Sequence, residues 1–412
     1  MASTDASGPI SIEEMDLPRL DVLSEEYAAD PIGMLRDARI AGNGMAKSHR
    51  GVEFLSYDWV GKLLVDDRFH TVDAKHFEQK GAPEIMQRWA RDGLLLSMEK
   101  ARHDKVRLVF ARAFTLRRVD QHRALMAEVA AKWAEIFGSS RDHDLIDDFT
   151  LHYPMELLCR AVGVPVEEIP RFISAALDLH LLAAVPMAPG FERIGAALQT
   201  MEDYVVDILD RRRREPTDDF LSGLIEAQAI EGELSQSELT GNVINLLFAG
   251  AGTTKFQLAS AIKLFIELGM WDQLAADHSL IPAAIEEAMR IAPVTQFVVR
   301  IPHDDVVIDN MLFPAKRRII LNLQAASRDP AMFPDPDTFD MSRDNLGKSR
   351  LPFGWGSHYC LGHAFARSSM REGTIALTDR FTNMSIRQPV EVAPAAAMMR
   401  GPEHLHLAFD RR

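Results

Sequence analysis

The sequence predicts a mainly α protein with a smaller β-containing part, on three observations. Apolar residues recur at helical spacing over long stretches, strand-like alternation is confined to short segments, and no internal repeat or low-complexity tract interrupts the pattern. The 412 residues are 47% hydrophobic and 26% charged, ample apolar surface for a large core. Single cores usually stop growing near roughly 250–300 residues. The expectation is therefore two domains or one unusually large unit; the reading taken is a flexible arm over residues 1–20 and one domain over 21–412.

The elements follow in order. Residues 1–20 are rich in Ser, Asp and Pro and read as a loose arm. Helical spacing covers Val119 to Phe137, Leu198 to Arg213, Glu238 to Leu268 and Ile281 to Arg290. Four successive arginines, Arg211 to Arg214, precede Pro216, which reads as cations closing a helix C-terminus. Val306 to Ile308, a turn at Asn310, and Arg318 to Leu323 read as a hairpin. Small sheets are expected near 50–75, 298–325 and 385–412. Between Arg328 and Leu351 runs a Pro- and Asp-rich stretch without periodicity, and so long a loop is usually functional or packed on something specific.

The net charge of −14 argues against nucleic acid as a partner, because phosphate binding needs clustered Lys and Arg. Cys159 and Cys360 are the only cysteines, too few for a disulfide framework. Met1 to Asp21 lacks the basic flank and apolar run of a signal peptide, and no stretch reaches about 18 uninterrupted apolar residues. A cytoplasmic monomer without a membrane anchor is the expectation, and each cysteine then needs its own explanation. Cys159, within LHYPMELLCRAVGVP at helical spacing, reads as a small core hydrophobe.

Cys360 reads differently. It sits in Phe353-Gly354-Trp355-Gly356-Ser357-His358-Tyr359-Cys360-Leu361-Gly362, where the glycines permit a tight backbone able to lie flat against a planar ligand. Leu361 to Met370 can form a helix, whose N-terminal N–H groups would lower the thiol pKa. A thiolate is also an axial ligand that pushes electron density onto heme iron. The segment resembles the cysteine loop of the cytochrome P-450 family, FGxGxHxCxG, at all six fixed positions. Chance agreement somewhere in the chain has odds on the order of one in a hundred thousand, taking each residue type at roughly one in twenty.

Further matches follow in the family's order. Glu287-Ala288-Met289-Arg290 supplies an ExxR pair that faces one way on a helix and can form a bidentate ion pair. By resemblance it locks the core helix to the Pro-rich stretch, with Arg343 as third member. His103 and Arg107 lie one helical turn apart. In the family this pair holds a heme propionate, and Arg300 and His358 match positions that complete the clamp. Within the long helix, Ala249-Gly250-Ala251-Gly252-Thr253-Thr254 resembles the oxygen-activation motif AGx(D/E)TT. Its glycines leave room for heme and oxygen, or serve close helix packing. Thr253 can bond back to the Ala249 carbonyl.

What the resemblance implies is a P-450 fold holding heme b, iron protoporphyrin IX, between the long helix and the cysteine loop. Cys360 is the iron ligand, with Phe353, Gly354 and Gly362 shaping the loop. The activity implied is insertion of one oxygen atom from O2 into a small hydrophobic substrate. Electrons would come from a ferredoxin and its reductase, docking on a basic patch of Lys105, Arg112, Arg117 and Arg118. Asn245, Phe248, Ala249, Thr295, Gln296 and Val298 are expected to line the substrate pocket, under a roof from Leu179 to Phe191. The departure from the family is Gly252, where an acid is normal, since glycine offers no titratable group. Proton delivery by water and by a substrate group are two readings. A peroxide-driven reaction, chemistry not needing that proton, and a non-catalytic heme sensor are the other readings open here.

Overall fold

The computed structural model describes residues 8–184, 186–231, 234–346 and 351–412. Helices dominate, and those that build the site are α1 (Lys100–Ala111), α2 (Arg123–Ser139), α3 (Tyr153–Val162), α4 (Phe191–Arg214), α5 (Gln236–Glu267), α6 (Ile281–Ile291) and α7 (His363–Thr378). A capping box starts α5, with Ser235 and Glu238 satisfying each other's backbone N–H groups, so a helix of 32 residues begins at a defined point. Its N-terminal half, Leu239 to Ala251, packs on one main core, and its C-terminal half, Leu258 to Phe265, on the other. One is lined by α3, α4 and the segment around Trp89; the other by α2, α6 and α7. No helix among the described residues is long and apolar enough to cross a membrane.

The strands are β1 (Ile10–Ser11), β2 (Met45–Ser48), β3 (Gly51–Phe54), β4 (Phe69–His70), β5 (Phe297–Pro302), β6 (Val306–Ile308), β7 (Met311–Phe313), β8 (Ile319–Asn322), β9 (Phe381–Ile386) and β10 (Leu407–Arg411). They form sheets in the orders β2-β3-β8-β5-β4, β1-β7-β6 and β10-β9.

Three expectations need correction. Residues 1–7 lie outside the described residues, but 8–20 are no loose arm: β1 pairs with β7, and Ile12 and Leu20 are buried. The few apolar residues among the Ser and Asp are what fix that segment. The hairpin partner of β6 is β7, not Arg318 to Leu323. Asp309 and Asn310 both adopt positive φ, which makes a two-residue turn and returns the chain at once. β8, buried at every position, instead enters the five-stranded sheet between β3 and β5. The helix read over 119–137 is interrupted at His122, where a short Leu116–Gln121 helix ends and α2 starts.

The arginine run closes α4 as expected. Arg211 pairs with Glu168, Arg212 with Asp219 and Arg213 with Asp210. Cys159 is fully buried in the first core, and burial pushes its thiol up to about 12, as suits an inert core residue.

Candidate active site around Cys360

The loop before α7 is shaped by its own backbone. The Cys360 N–H donates to the Phe353 carbonyl at 2.9 Å, and Gly354 and Gly356 take φ of 73° and 71°. A Cβ at Gly356 would also lie 2.8 Å from the Leu64 carbonyl, so glycine is required there twice over. At Gly362 an added Cβ would meet no protein atom, which leaves that backbone open to a flat ligand. The Phe353 ring lies 4.3 Å below the Arg367 guanidinium, which is also bonded to Glu286. Arg367 is a loop-supporting residue that the motif spacing did not mark.

Cys360 is exposed, yet protein surrounds it closely, and the surroundings dominate its electrostatics. Burial pushes the thiol up, against the pull of the Gly362 N–H, Arg107 and Arg367. The N–H at the helix start does pull the thiol down as expected, but burial outweighs it. Cys360 precedes the cap residue Gly362 and lies outside the first turn of α7, where the N–H groups are concentrated. A bound cation is what would make the thiolate the stable form here.

Around the loop stand four basic side chains that the protein leaves short of partners. His103 and His358 have ring centroids 4.7 Å apart. His103 Nε2 and His358 Nδ1 are both buried without a hydrogen-bond partner. Arg300, on β5, is 5% exposed, and no acid among the described residues pairs with it. Its one hydrogen bond goes to the Val299 carbonyl, and burial pulls its pKa down to about 10. Burial, Arg300, His103 and Arg107 together press His358 down to about 3. Arg107 donates to the Tyr359 carbonyl, tying α1 to the loop. A buried arginine without a counter-charge is costly, and with the unpartnered imidazole nitrogens beside it the cluster suits an anionic ligand. Heme propionates have that charge, so the residues present fit the cofactor.

The facing wall is α5. Ala249 is exposed in mid-helix, and Asn245 and Thr253, one turn to either side, share its face. The Thr253 hydroxyl donates to the Ala249 carbonyl at 3.0 Å, as the sequence predicted. The glycines are another matter. A Cβ at Gly250 would run into the Leu158 side chain of α3, and one at Gly252 into the His180 imidazole. Neither glycine opens onto empty space; each admits a neighbouring side chain. Close packing is thus the reading that holds for both, and His180 is a residue the motif did not reveal.

Of the expected pocket residues, Asn245, Thr295 and Val298 are partly exposed. Phe248 packs against Trp89 and His180. Gln296 is 5% exposed and donates its side-chain amide to the Pro293 carbonyl, so it turns into the protein and leaves the pocket set. In the roof, Leu179–Ala183 and Ala188–Gly190 are single helical turns leading into α4; Val185 lies outside the described residues.

Behind the loop, Glu287 and Arg290 form a two-pronged pair, both contacts 2.7 Å, at 0% and 1% side-chain exposure. Arg290 also donates to the carbonyls of Ser327, Pro336 and Thr338. Arg343 donates to Glu287 at 3.1 Å and to Asp335 and Thr338. The aperiodic stretch after Arg328 is therefore fastened to α6 by charge-assisted bonds; its residues 347–350 lie outside the described set.

A profile of the cytochrome P450 family matches residues 272–401, which contain both the ion-pair helix and the cysteine loop. Nocardicin C N-oxygenase of Nocardia uniformis subsp. tsuyamanensis is 31% identical over 85% of this chain and 87% of its own length. Cytochrome P450 monooxygenase PikC of Streptomyces venezuelae is 30% identical over 95% and 94%. The solved structure of epothilone D-bound cytochrome P450epoK superposes with a TM-score of 0.86 over 95% of this chain and 99% of its own, at 23% identity, which bears on the fold alone. With the thiol, the unpartnered basic groups and the accessible helix face in place, the chain belongs to the cytochrome P450 family, as a monooxygenase that binds heme b.

Proposed function

We propose that the protein inserts one atom of O2 into a small, largely hydrophobic molecule in the cytoplasm, with Cys360 as the thiolate that would hold the heme iron. The observation that carries this reading is the set of unpartnered groups, His103 Nε2, His358 Nδ1 and the Arg300 guanidinium without an acid, beside an exposed cysteine, since a dianionic, cation-bearing cofactor satisfies all of them at once. Heme so held supplies oxygen binding and two-electron activation at a metal with a strong thiolate donor. His103, Arg107, Arg300 and His358 hold the carboxylates; Phe353, Gly354 and Gly362 keep the loop flat. Thr253 offers its hydroxyl beside the open face of Ala249, where it can orient a proton-bearing water. Asn245, Phe248, Thr295 and Val298 bound the substrate space, whose apolar majority suits a hydrophobic ligand with one polar group.

Electrons are supplied by an acidic ferredoxin and its reductase. Support comes from Lys105, Arg112, Arg117 and Arg118, all exposed, flanked by Leu108 and Leu116 at 65% and 74% exposure. This patch belongs to α1 and the residues just after it, and α1 reaches Tyr359, next to Cys360, through Arg107. Charge complementarity there would steer docking despite the acidic total.

The test is reconstitution with ferredoxin, its reductase and reduced nicotinamide, screening compounds by the spin-state change and then following label from 18O2 into product. One labelled atom per product is the expected result. Turnover with peroxide alone, and none through ferredoxin, would overturn it.

A further inference from the structure

Position 252 is where an acid is missing, and the structure fills that place from outside the helix. His180 lies on the short turn Leu179–Ala183, and its imidazole covers Gly252 so closely that an added Cβ would overlap Nε2 and stand 2.7 Å from Cδ2. The Nδ1 atom is 3.0 Å from the Leu177 carbonyl. A carbonyl only accepts, so Nδ1 carries the hydrogen and Nε2 is left as the lone-pair nitrogen. That Nε2 is buried and has no hydrogen-bond partner. The ring is held from a second side by Phe248, one turn before Gly252, with centroids 5.1 Å apart. Glycine at 252 and histidine at 180 are thus one arrangement, because any side chain at 252 would expel the ring.

Burial favours the neutral ring. Burial lowers its pKa, the Leu177 carbonyl opposes this, and Lys255 on α5 adds to the lowering. On its own segment Asp178 is occupied by Arg193 at the surface.

We propose that His180 takes over the place of the absent acid, as a positioning residue that passes protons from the roof side of the site to Thr253. Nε2 accepts a proton from water on the roof side and gives one up toward the Thr253 hydroxyl through an intervening water, and the ring ends neutral as it began. Nδ1–H stays on Leu177 throughout, so the tautomer is restored after each transfer. The proposal rests on the reading of Thr253 given above.

The pairing is tested first on the heme-loaded protein by thermal unfolding. Gly252→Ala should lower the midpoint in the wild type, and should leave it unchanged or raise it when His180→Ala is also present, since alanine then replaces a helix-interior glycine. Equal effects in both backgrounds would overturn the pairing. Nitrogen NMR of the ferrous carbon monoxide form, which is diamagnetic, should find His180 protonated at Nδ1 and bare at Nε2; the opposite tautomer would overturn the relay. Both readouts stand whether or not a substrate is known. With a substrate, His180→Ala should cut product per nicotinamide several-fold at saturating substrate and release the balance as peroxide. His180→Ala with Gly252→Asp should restore coupling. Unchanged coupling in His180→Ala, or a loss confined to substrate affinity, would overturn the proposal; a wild type inactive with ferredoxin would instead sink the monooxygenase reading and leave the two structural tests intact.

Discussion

Replacing Glu287 by Ala perturbs the most tightly buried ion pair in the protein's frame around the cysteine loop. Arg290 is 1% exposed and donates five hydrogen bonds, two of them to Glu287. Removing the carboxylate leaves those two donors unmet, strips Arg343 of its 3.1 Å contact and frees the Asp340 N–H, which Glu287 accepts at 2.9 Å. An uncompensated buried charge costs about 3–5 kcal/mol. Against a total stability of about 5–15 kcal/mol this is about a fifth or more of what holds the fold. Glu287→Gln keeps the shape and part of the bonding and should lose only about 1–3 kcal/mol. The assay is yield of heme-loaded protein together with the denaturant midpoint and slope, for wild type, Glu287→Gln and Glu287→Ala. Low heme loading for Ala, with Gln intermediate, is expected. Normal loading and an unshifted midpoint for Glu287→Ala would refute the claim that this triad fastens the 328–346 stretch to α6.

Three further outcomes are expected. Arg300→Ala should release heme to an acceptor protein roughly 10- to 100-fold faster, from the loss of one charge-assisted hydrogen bond worth about 1.5–3 kcal/mol; an unchanged rate would remove Arg300 from the propionate set. Cys159→Ala should cost only about 1 kcal/mol and leave the heme spectrum as it is, whereas a spectral change would mean that the two cysteines had been assigned the wrong way round. Asp144 gives a pH dependence. Burial alone would raise its carboxyl, but the Leu405 N–H, His404 and the Ile146 N–H outweigh burial and leave it lowered. Its stabilisation is then present above the unfolded value of about 3.9 and is lost as pH falls through the folded one. Asp144→Asn should flatten the acid limb of the stability curve, and an acid limb identical to wild type would contradict this.

Motif spacing proved most informative where chemistry demands fixed residue types. Cys360, its glycines, His103, Arg300, His358 and the Glu287–Arg290–Arg343 triad were legible because each must present one functional group at one place. Helices with uninterrupted apolar spacing, α5 and α6 among them, were legible for the same kind of reason. What escaped was settled by contacts between distant segments. β1 is set by pairing with β7, three hundred residues on. The turn at Asp309–Asn310 was visible only as one residue, and the second positive φ decided the hairpin. His180 and Gly252 carry a signal only in combination: glycine where a side chain is normal, and a histidine in an otherwise apolar roof. The pKa of Cys360 was misjudged because dipole proximity was weighed without burial, which dominates here.

The central claim is that Cys360 holds heme iron as a thiolate, and the most direct measurement is the ferrous carbon monoxide difference spectrum of wild type and Cys360→Ser, recorded side by side at matched heme content. The account predicts the strongly red-shifted Soret band of thiolate ligation in the wild type and its absence in Cys360→Ser. A wild type without that shift, or a Cys360→Ser protein that keeps it, would contradict the assignment.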